Sequence, residues 1–178
     1  MTRSTTLDYI ILGLVQKQPL TGYRIRKVFE DTSLGNFGGS PGTIYPALKR
    51  LVKNKLILKL QIAETEKYQY SVSSSGLDLL KNWLKELPKK ETVQKDLNLL
   101  ILKFAFMDSL LSNYYKLDFL QHLLIKSQDY LDELEHFYVQ QKEMMPLTGQ
   151  LSFEYGLLSY TTTIRWCENA IERLLHSD

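Results

Sequence analysis

Cysteine is nearly missing from this sequence: Cys167 is the only one in 178 residues, so no disulfide can form within the chain. That fits a reducing compartment. Long hydrophobic runs are missing too. Tyr9 to Val15 and Leu97 to Met107 are the most apolar stretches, and both are too short or too interrupted to span a bilayer. The opening residues lack the charged segment, apolar stretch and small-residue cleavage site of a secretory leader, so a cytoplasmic protein with no membrane partner is expected. His122, His136 and His176 share no metal-ligand spacing with one another or with Cys167. Gly35, Gly38, Gly39 and Gly42 resemble a phosphate loop only superficially, because no Gly-Lys-Ser/Thr follows them and no strand is predicted before them. No nucleophile is paired with a base at motif level. Catalysis, a metal and a cofactor are therefore not expected.

What is present suits a folded protein of one medium or two small domains. Hydrophobic residues make up 44% of the chain and charged ones 24%, enough apolar material for a core. Net charge is only +2, but its distribution is uneven. Residues 1–60 hold ten lysines and arginines against three acids, a net of +7, and the remainder holds 12 basic against 17 acidic groups, a net of −5. A basic N-terminal third fits contact with a polyanion. Chance clustering on solvated faces gives the same count.

Apolar spacing predicts a first helix over Leu7–Gln16, ended by Pro19. Thr21 is a good N-cap for a second helix reaching about Asp31, with Tyr23, Ile25, Val28 and Phe29 on its apolar side. After a glycine-rich connection, Ser40 is expected to cap a third helix with Pro41 at its first position, running to about Asn54. Ile44, Leu48 and Leu51 share one face of it, and Pro46, Lys49, Arg50 and Lys53 the other. Two strands follow, Leu56–Ile62 and Lys67–Val72, making a hairpin with Glu64, Thr65 and Glu66 between them. Ser73 or Ser74 caps a fourth helix ending near Leu87, and Pro88 marks the domain boundary.

From Thr92 onward the pattern is helical. Leu97, Leu100, Phe104, Met107 and Leu111 keep a 3-4 spacing, as do Leu117, Leu120 and Leu124, continuing to Tyr138. Pro146 and Gly149 are expected to interrupt it. A last stripe runs through Phe153, Leu157, Tyr160, Ile164, Cys167, Ile171 and Leu174. Such stripes are packing seams, and a homodimer formed through Leu117, Leu120, Leu124 and the last stripe is the expected use. An internal helical hairpin would use them equally well.

Helix, helix, turn, basic helix, hairpin, helix is the order of a winged helix-turn-helix, in which a helix with one apolar and one basic face is held by the core and enters the major groove. The fold expected is mainly α: a winged helix-turn-helix with a two-stranded wing at 1–88, then an all-helical dimerisation domain at 92–178. The segments Ile11-Leu12-Gly13-Leu14-Val15, Pro19-Leu20-Thr21-Gly22-Tyr23-Arg24-Ile25 and Gly42-Thr43-Ile44-Tyr45-Pro46-Ala47-Leu48-Lys49-Arg50-Leu51 resemble the signature of the PadR family of transcriptional regulators. Leu56-Ile57, Tyr70-Ser71-Val72-Ser73, Gly76 and Trp83-Leu84 match the same pattern, so the resemblance covers residues 7–87 closely. The C-terminal half is similar in length and helical character to the longer subfamily, and Trp166-Cys167-Glu168 with Ala170-Ile171-Glu172-Arg173-Leu174 resembles its final helix.

The resemblance implies a homodimeric repressor that binds double-stranded operator DNA and is released by a small aromatic or lipophilic effector. Thr43, Tyr45, Lys49 and Arg50 are the leading candidate DNA contacts, although Lys49 and Arg50 also fit a solvated surface. Tyr23 and Lys53 follow as phosphate contacts, with Ser40 at the helix start and Lys67 in the hairpin; Arg3 could reach a neighbouring groove. The C-terminal aromatics, among them Tyr114, Tyr130, Phe153, Tyr160 and Trp166, fit helix seams better than a ligand pocket. Three departures stand out. The hairpin tip carries Glu64 and Glu66 against Lys67 where the family's wing is usually basic, Phe37 is followed by Gly38 rather than a second aromatic, and Ser73 stands in place of threonine. The acidic tip is the one support for a rival role, a winged-helix scaffold that binds proteins instead of DNA.

Overall fold

The computed structural model describes residues 4–63, 65 and 67–176. Arg3, Glu64 and Glu66 lie outside the described residues. The chain divides between Trp83 and Leu84 into two compact units. The division falls within a helix, a few residues before Pro88, the boundary expected from sequence.

In the first unit, α1 spans Thr6–Val15 and starts with a reciprocal cap. The Asp8 N–H donates to Thr5 Oγ1 at 3.3 Å and the Thr5 N–H donates to Asp8 Oδ2 at 2.9 Å. Strand β1 (Leu20–Thr21) leads into α2 (Gly22–Asp31), capped by Thr21, whose hydroxyl accepts the Arg24 N–H at 3.2 Å. A 3-10 turn at Ser33–Phe37 precedes α3 (Pro41–Lys53). Strands β2 (Ile57–Gln61) and β3 (Tyr68–Val72) form the wing, and α4 (Ser74–Lys85) follows. Ile10, Ile11, Leu12, Ile25, Phe29, Ile44, Leu48, Leu51, Ile57 and Leu80 are buried together as the core. Tyr9 stacks on Trp83 at 4.6 Å between centroids, tying α1 to the end of α4.

The expected two-stranded wing is present, and a third strand, β1, joins it in an antiparallel sheet of order β1-β3-β2. Leu20 pairs with Tyr70 and Thr21 with Gln69. A two-residue strand carries no alternation to detect, so only the tertiary pairing reveals it.

In the second unit, the helical pattern expected from Thr92, interrupted at Pro146 and Gly149, is divided among α5 (Lys90–Lys95), α6 (Leu97–Phe106), α7 (Asn113–Gln141) and α8 (Leu147–Leu175). Asp96 leaves helical angles and its carboxylate accepts the Leu99 N–H at 3.0 Å, so it ends α5 and caps α6. Gly149 does not interrupt the last helix: Pro146 is the N-cap and Gly149 lies in the first turn, its N–H donating to the Pro146 carbonyl at 2.8 Å.

Helices α7 and α8 form an antiparallel hairpin. Tyr138 stacks on Phe153 at 5.1 Å, Tyr130 meets Tyr160 edge-on at 5.0 Å, and Phe104 of α6 meets Trp166 edge-on at 5.4 Å. The Tyr160 hydroxyl donates to the Val93 carbonyl at 3.1 Å, anchoring α5. Much of the stripe expected to form the dimer is thus occupied within one chain. Leu120 and Cys167 are fully buried, and Leu117, Leu124, Phe153, Leu157, Tyr160, Ile164, Ile171 and Leu174 are half-buried. The large apolar side chains left open on α8 are Leu147, Leu151, Tyr155 and Leu158 in its first half, and Leu175 at its end. Among the described residues, no helix is long and apolar enough to cross a membrane.

Candidate nucleic-acid interface

Helix α3 is divided lengthwise. Ile44, Ala47, Leu48 and Leu51 are buried, while Thr43, Tyr45, Pro46, Lys49 and Lys53 are exposed. A 3-4 apolar spacing places the first set on one face, and burying that face fixes the orientation of the other. Pro41 opens the helix where a missing N–H costs little, and Pro46 lies on the exposed face.

The two hydroxyls at the start of α3 are turned inward on their own loop. Ser40 is the N-cap residue, but its side chain makes no cap hydrogen bond; its Oγ lies 3.2 Å from Thr43 Oγ1. The Thr43 hydroxyl donates to the Ser40 carbonyl at 2.9 Å and also contacts the Gly38 carbonyl. The expected side-chain cap at Ser40 is therefore absent, because Thr43 has taken that hydroxyl as its partner.

The basic residues fall into two groups. Arg50 forms an ion pair with Asp8 of α1, Nη2 to Oδ1 at 2.6 Å, and its Nε donates to Oδ2 at 3.3 Å. The guanidinium expected to face DNA thus links α3 to α1, while the Arg50 side chain stays 34% exposed. On α2, Arg26 pairs with Glu30 at 3.4 Å and Lys27 with Asp31 at 3.0 Å. Among the described residues, no carboxylate pairs with Lys49, Lys53, Lys59 or Lys67. Lys59 of β2, overlooked as a site residue from sequence, holds its ammonium 3.8 Å from the centre of the Tyr68 ring. Its only sequence signal was membership of the basic N-terminal third.

Tyr23 and Tyr45 are both exposed, 57% and 42%. The Arg26 guanidinium lies 5.4 Å from the Tyr23 ring. A Cβ on Gly22 would stand 3.0 Å from Tyr45 Cε1 and 3.7 Å from Tyr70 Cε2, so the absent side chain makes room for the Tyr45 ring. Burial raises the Tyr70 phenol above its ordinary range. Lys67 is exposed beside the hairpin tip. Tyr23, Tyr45, Lys49 and Lys53 are thus open to solvent, Ser40 and Thr43 are exposed but engaged with one another, and Arg50 is engaged elsewhere.

In the second unit, Phe104, Trp166, Ala170, Arg173 and Leu174 line a groove of about 320 Å³. Of these, only Trp166 is among the aromatics considered from sequence for a ligand pocket. Cys167 beside it is buried, and burial pushes its thiol up to about 12, so it is not a thiolate at neutral pH. His122 lies 3.1 Å from Asp118, and His136 shares a hydrogen bond of 2.8 Å with Gln140. Among the described residues, no group of three or more His, Cys, Asp or Glu side chains is placed to hold a metal ion.

The family model described as the transcriptional regulator PadR-like family matches residues 11–82. The negative transcriptional regulator PadR of Bacillus subtilis (strain 168) is 34% identical over 152 residues, which covers 83% of this chain and 79% of the relative. The transcriptional regulator YqjI of Escherichia coli (strain K12) is 32% identical over 80 residues, covering 45% of this chain and 36% of that protein. Among solved structures, Bacillus subtilis PadR in complex with operator DNA is 29% identical, covers 96% of this chain and 99% of its own, and superposes with a TM-score of 0.44. The same protein in complex with p-coumaric acid is 25% identical, with 97% of each chain covered and a TM-score of 0.41.

Proposed function

The chain belongs to the PadR-like family of transcriptional regulators, and we propose that it is a homodimeric repressor that reads operator DNA through α3 and is released by a small aromatic effector. The observation that carries the proposal is α3 itself, a helix buried along Ile44, Ala47, Leu48 and Leu51 whose open face presents Tyr45 together with Lys49 and Lys53, which have no carboxylate partner among the described residues. A helix of that width fits the major groove. Its lysines supply phosphate affinity and its remaining exposed side chains meet base edges. A second copy would place its own α3 in the next major groove, roughly 34 Å away. The surface open to that copy is the α8 row Leu147, Leu151, Tyr155 and Leu158. The groove at Phe104, Trp166 and Arg173 suits the effector, with ring edges for an aromatic and a guanidinium for an acid. A cytoplasmic location follows from this role.

Fluorescence anisotropy on the DNA upstream of the protein's own reading frame, against a scrambled duplex across a salt series, tests the proposal. Binding confined to the upstream duplex is expected, with a salt slope reduced by about 1 in Lys49→Gln and nearly unchanged in Arg50→Gln. Equally weak binding to both duplexes, repeated with duplexes selected from a random pool, would favour a winged-helix scaffold for protein partners.

A further inference from the structure

Between α3 and the wing lies a groove of about 310 Å³, lined by Leu48, Lys49, Val52 and Lys53 from the helix and by Lys59 and Tyr70 from the sheet. Lys59 and Tyr70 are register partners on β2 and β3, so they share one face of the hairpin. Ile57 lies on that face too, two residues before Lys59, and is buried, so this is the face turned toward the core and α3. Leu48 is buried and Val52 and Tyr70 are half-buried, while all three lysines are exposed around them.

No lining residue is acidic. Among the described residues, neither Lys49, Lys53 nor Lys59 has a carboxylate partner, although Arg26, Lys27 and Arg50 of the same unit each have one. Three lysines lining one groove with no carboxylate partner among the described residues repel one another, and an anion seated there is attracted by all three. The Tyr68 ring under the Lys59 ammonium holds that charge in place without neutralising it. Space equal to roughly ten waters, at about 30 Å³ each, accommodates a partly hydrated phosphodiester. The apolar floor matches the carbon face of a deoxyribose.

We propose that this groove seats the phosphate backbone of the DNA strand beside α3, so that the wing grips DNA from its base through Lys59 and not from its tip. In sequence, the segment joining β2 to β3 holds Glu64 and Glu66 against Lys67, a charge balance that disfavours phosphate. The proposal rests on the DNA-binding function above, and it adds Lys59 to the binding surface while removing Lys67 from it.

The test uses the full chain and two probes, a duplex selected by the wild-type protein from a random pool and a scrambled duplex of equal length. Lys59→Gln is expected to weaken binding to both by about five- to tenfold at moderate salt and to lower the salt slope by about 1. Lys59→Arg should restore both, and Lys67→Gln should leave affinity within about twofold. A single neutral methylphosphonate at one backbone position should weaken the wild type but not Lys59→Gln. Wild-type affinity and slope in Lys59→Gln would overturn the proposal, as would a loss confined to the selected duplex or a larger loss in Lys67→Gln. If Lys59→Gln melts early, Lys53→Gln serves in its place, and an unchanged slope there overturns the groove equally. A wild-type protein that binds neither duplex at low salt overturns the DNA-binding function and the groove with it.

Discussion

Arg50 of α3 and Asp8 of α1, 42 residues apart in sequence, close a two-point contact at 2.6 and 3.3 Å. The Asp8 side chain is 2% exposed, and Oδ2 also accepts the Thr5 N–H at 2.9 Å. One carboxylate therefore caps the first helix and fixes α3, the helix proposed to enter DNA.

Removing the guanidinium leaves that carboxylate buried with only its cap. Arg50→Leu should lower unfolding stability by about 2–3 kcal/mol, less than for a fully enclosed pair because Arg50 remains partly exposed. Asp8→Asn with Arg50→Leu should cost less than the sum of the two single changes. Urea denaturation of the four proteins measures the coupling, and a loss under about 0.5 kcal/mol in Arg50→Leu would show that the pair does not hold α3 on α1.

Two glycines of the first unit should respond differently to alanine. A Cβ on Gly76 would overlap the Leu56 carbonyl oxygen and stand 2.9 Å from its carbon and 3.1 Å from Leu12 Cδ2, against backbone that cannot retreat. Gly76→Ala should cost about 3 kcal/mol or more in thermal or urea unfolding. At Gly22 the tight neighbour is the exposed Tyr45 ring, which can swing away. Gly22→Ala should stay within about 1 kcal/mol of the parent in stability yet weaken DNA binding by displacing Tyr45. A large stability loss with unaltered binding would contradict that placement.

Lys103 is buried in the second unit, where its ammonium donates to the Glu86 carbonyl at 3.0 Å and lies 5.9 Å from the centre of the Phe119 ring. Burial brings its pKa from the ordinary 10.5 down to about 8, with nearby Lys89 adding to the effect and Glu86 opposing it. Between pH 8 and 10.5 the unfolded chain holds this proton and the folded chain has released it. Unfolding stability therefore gains from this group as pH rises through that window, on the order of 2–3 kcal/mol when complete. Comparing Lys103→Met with the parent at about pH 7.5 and about pH 10 isolates the gain, since other titrating groups contribute alike to both. Equal pH dependence in the two would refute it.

The α8 row Leu147, Leu151, Tyr155 and Leu158 should control dimer formation, whereas Leu157 should control folding. Leu151→Glu with Tyr155→Glu is expected to lower the mass in multi-angle light scattering to that of one chain while circular dichroism stays helical. Leu157→Glu, a charge pushed into the hairpin seam, should lose helix content and stability by several kcal/mol. A double variant that stays dimeric would move the interface elsewhere.

Much of this architecture was legible in residue order, because helical spacing and caps are local. Pro41 with Ile44, Leu48 and Leu51 predicts α3, Thr21 predicts the start of α2, and the 3-4 stripe from Phe153 to Leu174 predicts most of α8. The sequence also showed the basic N-terminal third and the segments that resemble the family. What only the tertiary structure decided is which charges and apolar faces stay free. Arg50 and Lys49 are adjacent in sequence and both cationic, but the packing of α3 on α1 delivers one to Asp8 and leaves the other in solvent. The pairing of β2 with β3 likewise brings Lys59 beside α3, and the closure of α7 on α8 buries Cys167 and half-buries the rest of its stripe within one chain. Periodicity assigns a residue to a face of its own helix or strand; what that face meets is set by elements far away in the chain.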